Sequence, residues 1–295
     1  MVGTQEPVAV LGIGAMGHGM ATSMLRAGIP TIVWNRRPAA ARNLAGLGAD
    51  VAETAADAAR RAAIVVTMVT DTDAVISIAR DQGMLAALAP GAVWAQMGTI
   101  GVAGIERVAA MVAAERPEVT LLDAPVSGSR EPAEQGQLTI FASGPEEARP
   151  RVAALFGALG QRTIWVGEVG AGSRLKLVNN TLVAFAAEAV ANAAALARRL
   201  GLETQKVVEA LAGSPLVSSW QAAKLHRIAT GEFSAQFALS LALKDVRLAL
   251  EAADDDRFAA LACLAEEWRQ AVDQGLGDQD LTVVTRVLEQ QGGAP

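Results

Sequence analysis

The chain changes rhythm once, and that change constrains its architecture more than any single motif. Up to Gly167, short apolar runs alternate with helical stretches: "VAVLG", a helix over Met16–Ala27, "TIVW", a helix over Ala39–Gly46, "AAIVVTMV", a helix through Val75–Ile78, "AVWAQM", a helix over 104–115, and "VTLLDA". The runs are apolar at consecutive positions, as in strands buried on both faces, and strand–helix alternation predicts a parallel sheet covered by helices. Two later runs, "LTIFAS" and "RTIWVG", read as strands extending the same sheet. After Gly167 the strand pattern stops. Helices are predicted over 170–200, 203–213, 218–229, 239–253, 256–275 and 280–290, punctuated by Gly201, Pro215, Gly231 and Gly275. The expected fold is therefore α/β: a doubly wound domain over 1–168, then an all-α domain over 169–295 joined to it by a long helix. The closing "QQGGAP" reads as a frayed tail.

A length of 295 residues suits two cores. The single cysteine, Cys263, allows no internal disulfide and suits a reducing compartment. The N-terminus "MVGTQEPVAVLG" lacks the features of a secretory signal, so a cytoplasmic location is expected. A net charge of −6, with no basic stripe, argues against a nucleic-acid partner. The longest apolar run, around 181–197, is alanine-rich and broken by Glu188 and Asn192. It reads as a helix buried in a domain or subunit interface, and no membrane partner is expected. The absence of tyrosine excludes a Tyr-Lys dyad. His18 and His226 stand far apart and only one cysteine is present, so no metal site is expected. No G-x-S-x-G elbow supports a serine nucleophile.

The stretch "VAVLGIGAMGHGM" places Gly12, Gly14 and Gly17 in G-x-G-x-x-G spacing between a strand and a helix. In a Rossmann-type fold the first glycine permits the tight turn, the second lets backbone amides approach a pyrophosphate, and the third lets helix and strand pack closely. The helix N-terminus supplies dipole and free N–H groups to the phosphates. The loop Gly12, Ile13, Gly14, Ala15, Met16 and Gly17 is the expected cofactor cradle. Where an NAD-binding fold usually carries an acid for the ribose hydroxyls, the second strand ends in Asn35, Arg36 and Arg37. An acid would repel a 2′-phosphate, whereas guanidinium groups bind it, so NADPH/NADP+ is expected in preference to NADH.

Further on, "GAGSRLKLVNNTLVAF" puts Lys176 and Asn180 four residues apart, on one face of a helix that continues into Val183 and Ala187. A polar pair opens an otherwise apolar stripe. The plain reading is a lysine near a helix start reaching water.

Four motifs, "GIGAMG", "DAPVSGS" at 123–129, "GAGSRLKLVNN" at 170–180 and "FALSLALKD" at 237–245, occur in an order and spacing that resemble the β-hydroxyacid dehydrogenase family, whose best-known members act on 3-hydroxyisobutyrate. The stretch "APVSGSREPAEQGQLTI" is most similar to the glyoxylate/succinic semialdehyde reductase branch. The resemblance implies that Lys176 is the catalytic lysine and Asn180 the amide that helps orient substrate. It implies that Ser127, Gly128 and Ser129 form the loop binding a substrate carboxylate, and that Thr99 lies near the nicotinamide ribose and substrate. Met68 and Val69 match backbone that touches the cofactor; Phe237, Lys244 and Asp245 match a late helix that closes over the nicotinamide end. Lys176 would then open a helix running past the cleft between two domains, where its ammonium can stabilise a developing alkoxide and give up a proton as hydride reaches the carbon.

The function expected from this resemblance is NADPH-dependent reduction of a small carboxylated aldehyde or keto acid, such as glyoxylate, succinic semialdehyde or a related semialdehyde, to the hydroxy acid. Imine reductases share the fold but generally lack the lysine and the SGS loop. A non-catalytic NADP-binding protein would be expected to lose the lysine. Relatives form dimers or tetramers through their helical domains, so a homodimer or homotetramer is expected.

Overall fold

A computed structural model describes residues 6–290. The frayed-tail reading at 291–295 and the opening residues 1–5 lie outside the described residues. The chain divides into two compact units, Met1–Lys176 and Leu177–Pro295. The division thus falls inside the long helix rather than at 168, because the helix's first turn is bonded to the sheet domain.

In the first unit, strands β1 (Val8–Leu11), β2 (Thr31–Trp34), β3 (Asp50–Val51), β4 (Ile64–Thr67), β5 (Val93–Gln96) and β6 (Thr120–Asp123) form one sheet in the order β3-β2-β1-β4-β5-β6. Every pairing is parallel. Helices α1 (Ala15–Arg26), α2 (Pro38–Ala45), α3 (Ala55–Arg60), α4 (Thr72–Ile76), α5 (Met84–Ala87) and α6 (Gly101–Glu115) connect them. Side chains alternate along each strand: Val8 and Val10 join Met20 and Met24 of α1 in one core, while Ala9 and Leu11 face Trp94, Ile105 and Val108 in the other. This explains the unbroken apolar runs, since both faces are covered.

The expectation that the later strands extend this sheet is corrected. After β6 the chain forms β7 (Val126–Ser127), helix α7 (Arg130–Gln135), β8 (Leu138–Ala142), helix α8 (Arg149–Leu159) and β9 (Gly160–Trp165). The three strands make a separate sheet in the order β7-β8-β9, with β7 antiparallel to β8. Among the described residues, an isolated bridge between Asp123 and Ser143 links it to the first sheet. Two residues separate β6 from β7, too few for the crossover a parallel neighbour requires.

The second unit is helical. Helix α9 (Ala171–Arg199) runs into it from the first, followed by α10 (Thr204–Leu211), α11 (Ser219–Ala229), α12 (Leu239–Ala253), α13 (Ala259–Ala271) and α14 (Val284–Gln290). Ala184, Ala187 and Ala191 of α9 pack with Leu243, Leu264 and Trp268. Alanine permits this because it brings the helix backbones close. Other positions of α9, among them Val178, Leu182 and Leu196, stay exposed. By length and composition alone α9 could cross a membrane, and 39% of its most apolar 18-residue window is buried within the chain.

Candidate active site

The strand order reverses between β1 and β4, and Gly12 and Met68 lie at the carboxyl ends of those two strands. In an open sheet this switch point is where ligands bind. The Gly12 N–H donates to the Trp34 carbonyl (3.0 Å) and the Met68 N–H to the Leu11 carbonyl (2.9 Å), fixing both loop starts to the sheet. The loop is a cradle by construction. A Cβ on Gly12 would meet the Met68 carbonyl oxygen at 2.4 Å, and one on Gly17 would meet the Gly12 carbonyl oxygen at 2.0 Å. A Cβ on Gly14 would meet nothing within 4 Å. Two glycines are thus demanded by the protein's own packing, and the middle one faces open space.

The wall of that space comes from the second strand. Ile13, Gly14, Asn35, Arg36, Arg37, Ala39 and Ala40 line a cavity of about 440 Å³. Asn35 Oδ1 accepts the Ile13 N–H (2.9 Å) and its Nδ2 donates to the Arg37 carbonyl (2.9 Å), so this amide holds the two loops together. Arg36 and Arg37 are exposed, and neither guanidinium has an ion-pair partner among the described residues. Backbone N–H groups at a helix N-terminus, with cations at the cavity edge, fit the phosphates of a dinucleotide. His18, on α1, is half-buried, with its Nδ1 unpartnered among the described residues.

The expected substrate loops are fixed to this cradle within the first unit. A Cβ on Gly19 would lie 2.9 Å from Ala133 Cβ, so α1 and α7 touch closely, and Ser23 Oγ donates to the Ala158 carbonyl (2.7 Å). Ser129 sits at the N-cap of α7, and Ser127 pairs with Thr139 at the end of β7. Gly128 between them has φ +133°, open to glycine and rarely to other residues. Thr99 follows Gly98, whose Cβ would meet the Val69 carbonyl oxygen at 2.3 Å; Val69 therefore packs beside the Thr99 turn. That turn is pinned by Gln96, whose Oε1 accepts the Gly98 N–H (3.0 Å) and whose Nε2 donates to the Gly98 carbonyl (2.8 Å). Sequence reading passed over Gln96, although a lone amide closing an apolar strand was the available signal.

Lys176 is 9% exposed, in the second turn of α9. The start of α9 rests on Asp123 at the end of β6. Ser173 donates its N–H to Asp123 Oδ2 (2.7 Å) and its hydroxyl to Asp123 Oδ1 (2.8 Å), and the Gly172 N–H donates to Ser143 Oγ (2.9 Å). Burial pushes the Asp123 carboxyl above its ordinary range, against the opposing pull of these bonds from Ser173 and Ser143.

In the second unit Asn180, 5% exposed, donates from Nδ2 to Asp245 Oδ2 (2.5 Å) and accepts from Asn179 Nδ2 (2.9 Å). Lys244 Nζ lies 2.9 Å from Asp245 Oδ1. Asn180, Lys244 and Asp245 are thus brought together, and Asn179 is explained by its bond to Asn180. Phe237 precedes α12, and its N–H donates to Asp280 Oδ2 (3.3 Å). Asp280 is fully buried, accepts two bonds from the Lys224 ammonium (2.9 and 2.7 Å), whose third goes to Gln236 Oε1 (3.0 Å), and receives the Gln236 N–H and the Thr282 hydroxyl. Burial alone would raise the Asp280 carboxyl, but the bonds from Lys224 overcome it and hold it low. This buried pair, which shapes the segment before α12, was not visible in the sequence.

A doubly wound sheet with a glycine cradle at its switch point, followed by a helical domain, defines a dinucleotide-dependent oxidoreductase. Residues 7–167 match the NAD binding domain of 6-phosphogluconate dehydrogenase, and residues 170–288 match the NAD-binding region of NADP-dependent 3-hydroxyisobutyrate dehydrogenase. The chain belongs to the 3-hydroxyisobutyrate dehydrogenase family, enzymes that interconvert CH–OH and C=O with NAD(P). It is 31% identical to the NAD-dependent L-serine dehydrogenase of Pseudomonas aeruginosa, over 98% of this chain and 99% of that one. It is 28% identical to glyoxylate/succinic semialdehyde reductase 1 of Arabidopsis thaliana, over 96% and 98%. The crystal structure of 3-hydroxyisobutyrate dehydrogenase from Salmonella typhimurium superposes with a TM-score of 0.85 at 27% identity, covering 96% of this chain and 99% of that one.

Proposed function

We propose that the protein is an NADPH-dependent reductase of small carboxylated aldehydes or keto acids, with glyoxylate, succinic semialdehyde and related semialdehydes as its substrate class. The observation that carries this reading is Lys176. It is a buried lysine on the helix anchored at Asp123, in the same unit as the Ser127–Ser129 loop and the glycine cradle. The kinship to a plant reductase named for glyoxylate and succinic semialdehyde supports the substrate class. The unpaired Arg36 and Arg37 beside the cavity support NADPH.

A nicotinamide cofactor held by the glycine cradle would supply hydride to the carbonyl carbon. The protein's own residues do the rest. Ser127 and the backbone N–H groups of Gly128 and Ser129 hold the substrate carboxylate, and Thr99 holds the other side of the reacting carbon. Lys176 Nζ hydrogen-bonds the carbonyl oxygen, stabilises the charge that grows on it and gives up a proton to it, forming the hydroxyl. Asn180, fixed by Asp245, orients that amine or oxygen. In the reverse direction Lys176, as the free amine, takes the hydroxyl proton.

The protein is further proposed to be a cytoplasmic homodimer or homotetramer with neither a nucleic-acid nor a membrane partner. The exposed face of α9 supports the assembly. Val178, Leu182, Phe185 and Leu196 are 40–69% exposed, and their spacing keeps them on one stripe.

The test is NADPH consumption with glyoxylate, succinic semialdehyde, related semialdehydes and a cyclic imine, and NADP+ reduction with L-serine, for wild type and Lys176→Ala. Wild type should reduce a carboxylated aldehyde. The variant should lose about 10²–10⁴-fold in kcat while NADPH affinity is kept. Turnover of the imine alone, or a fully active variant, would overturn the assignment. Serine oxidation without aldehyde reduction would move the substrate class to 3-hydroxy acids.

A further inference from the structure

We infer that Asp123 is a positioning residue for Lys176, acting through the first turn of α9; this rests on the reading of Lys176 as proton donor. A helix leaves its first N–H groups without intrahelical partners. In α9 the Ala171 N–H finds the Glu168 carbonyl (3.0 Å), whereas the next two are satisfied by side chains from the ends of β6 and β8: Gly172 by Ser143 Oγ (2.9 Å) and Ser173 by Asp123 Oδ2 (2.7 Å). The Ser173 hydroxyl adds a second bond to the same carboxylate (2.8 Å). Asp123 thus does for α9 what an N-cap residue does for its own helix, from 50 residues away in the chain.

The joint has little room to rotate. A Cβ on Gly172 would lie 2.4 Å from the Phe141 carbonyl oxygen and 2.7 Å from that of Asp123, so the helix start sits directly on strand backbone. Asp123, Ser143 and Ser173 are all at most 3% exposed. Lys176 follows Ser173 by three residues, one turn along the same helix face. From Asp123 the chain also runs through Ala124 and Pro125 into β7 and Ser127. One strand end therefore holds both the turn that leads to the amine and the origin of the loop expected to hold the carboxylate. A shift of this turn would carry the amine away from the oxygen it must reach.

The test compares wild type, Asp123→Asn, Ser173→Ala and Lys176→Ala. The asparagine is isosteric but turns one acceptor into a donor facing Ser173; the alanine removes one bond and leaves the carboxylate, so at least one variant should fold normally. Kinetics with the best substrate of the panel are combined with NADPH titration, hydrogen exchange over 170–177, and acylation of the Lys176 amine by an activated ester, read by mass spectrometry. Asp123→Asn should lower kcat by about 10–100-fold with NADPH affinity unchanged. It should also raise exchange over 170–177 but not later in α9, and change Lys176 acylation several-fold. Ser173→Ala should shift each quantity in the same direction by less. If Lys176→Ala is inactive while Asp123→Asn keeps wild-type kcat, exchange and acylation, the positioning role is wrong. If Lys176→Ala keeps full activity, the catalytic reading fails instead. Should no panel member turn over, exchange and acylation still decide the clamp: unchanged values overturn it.

Discussion

Asn35 Oδ1 accepts the N–H of Ile13 at 2.9 Å, so a side chain at the end of the second strand holds the glycine loop that follows the first. The same amide ties down the Arg37 carbonyl. The two arginines consequently line a cavity whose loops are held together by Asn35 rather than by their own side chains. Replacing both Arg36 and Arg37 with alanine should therefore leave the fold intact and raise the NADPH dissociation constant by about 10–100-fold, the weight of one or two charge-assisted bonds. NADH affinity should hardly change. Fluorescence titration with both cofactors checks this, and an equal loss for both would contradict the assignment of the arginines to the 2′-phosphate.

Gly14 and Gly17 separate cofactor binding from folding. A methyl at Gly17 collides with the Gly12 carbonyl at 2.0 Å, whereas one at Gly14 enters open space. Gly14→Ala should melt like wild type yet bind NADPH at least about tenfold more weakly, because the methyl takes the place where backbone must approach the pyrophosphate. Gly17→Ala should lower the melting temperature itself. Thermal melts with and without NADPH distinguish the two.

Glu188 gives α9 a pH dependence. Burial, helped by the neighbouring Glu267, pushes its carboxyl from the ordinary 4.5 up to about 7, against bonds from Trp268 Nε1 (2.7 Å) and Asn192 Nδ2 (2.6 Å). A folded-state value raised above the unfolded one means that the folded state holds the proton more tightly. The associated stability is full below about pH 4.5 and is lost as the pH rises through 7. Glu188→Gln keeps an acceptor for Trp268 and removes the titration. Its stability relative to wild type should grow between pH 5.5 and 8.5 by on the order of 2–3 kcal/mol. Urea melts across that range measure it; a constant difference would show that Glu188 does not titrate there.

The exposed stripe on α9 predicts assembly. Leu182 and Leu196 are 69% and 59% exposed. Leu182→Lys with Leu196→Lys should convert an oligomer seen by light scattering at micromolar concentration into monomers, without a loss of helix content. Wild type running as a monomer would refute the assembly, and partitioning of wild type into lipid vesicles would assign the stripe to a bilayer.

Much of this arrangement is legible in the amino-acid sequence. The unbroken apolar runs of "VAVL", "TIVW" and "IVVT" could only be strands covered on both sides, and the glycine spacing after the first of them placed the cradle. The helices after Gly167 were bounded to within a few residues because Gly201, Pro215 and Gly231 interrupt them. The second sheet was misread because strand propensity is local, whereas sheet membership depends on which edge the chain can reach through a two-residue link. Asp123 appeared as an ordinary strand-end acid for the same reason: its partner, Ser173, is 50 residues away.

By itself, then, the sequence determined what depends on neighbours along the chain: the alternating elements, the turn at Gly12–Gly17, the missing acid at Asn35–Arg37, and the i, i+4 placement of Lys176 and Asn180. Only the tertiary structure decided which buried polar groups pair. Asp123 holds Ser173, Asp245 holds Asn180, and Asp280 holds Lys224. The physical reason is that a charge withdrawn from water must find its partner wherever the fold brings one, and no periodicity in the chain records that distance.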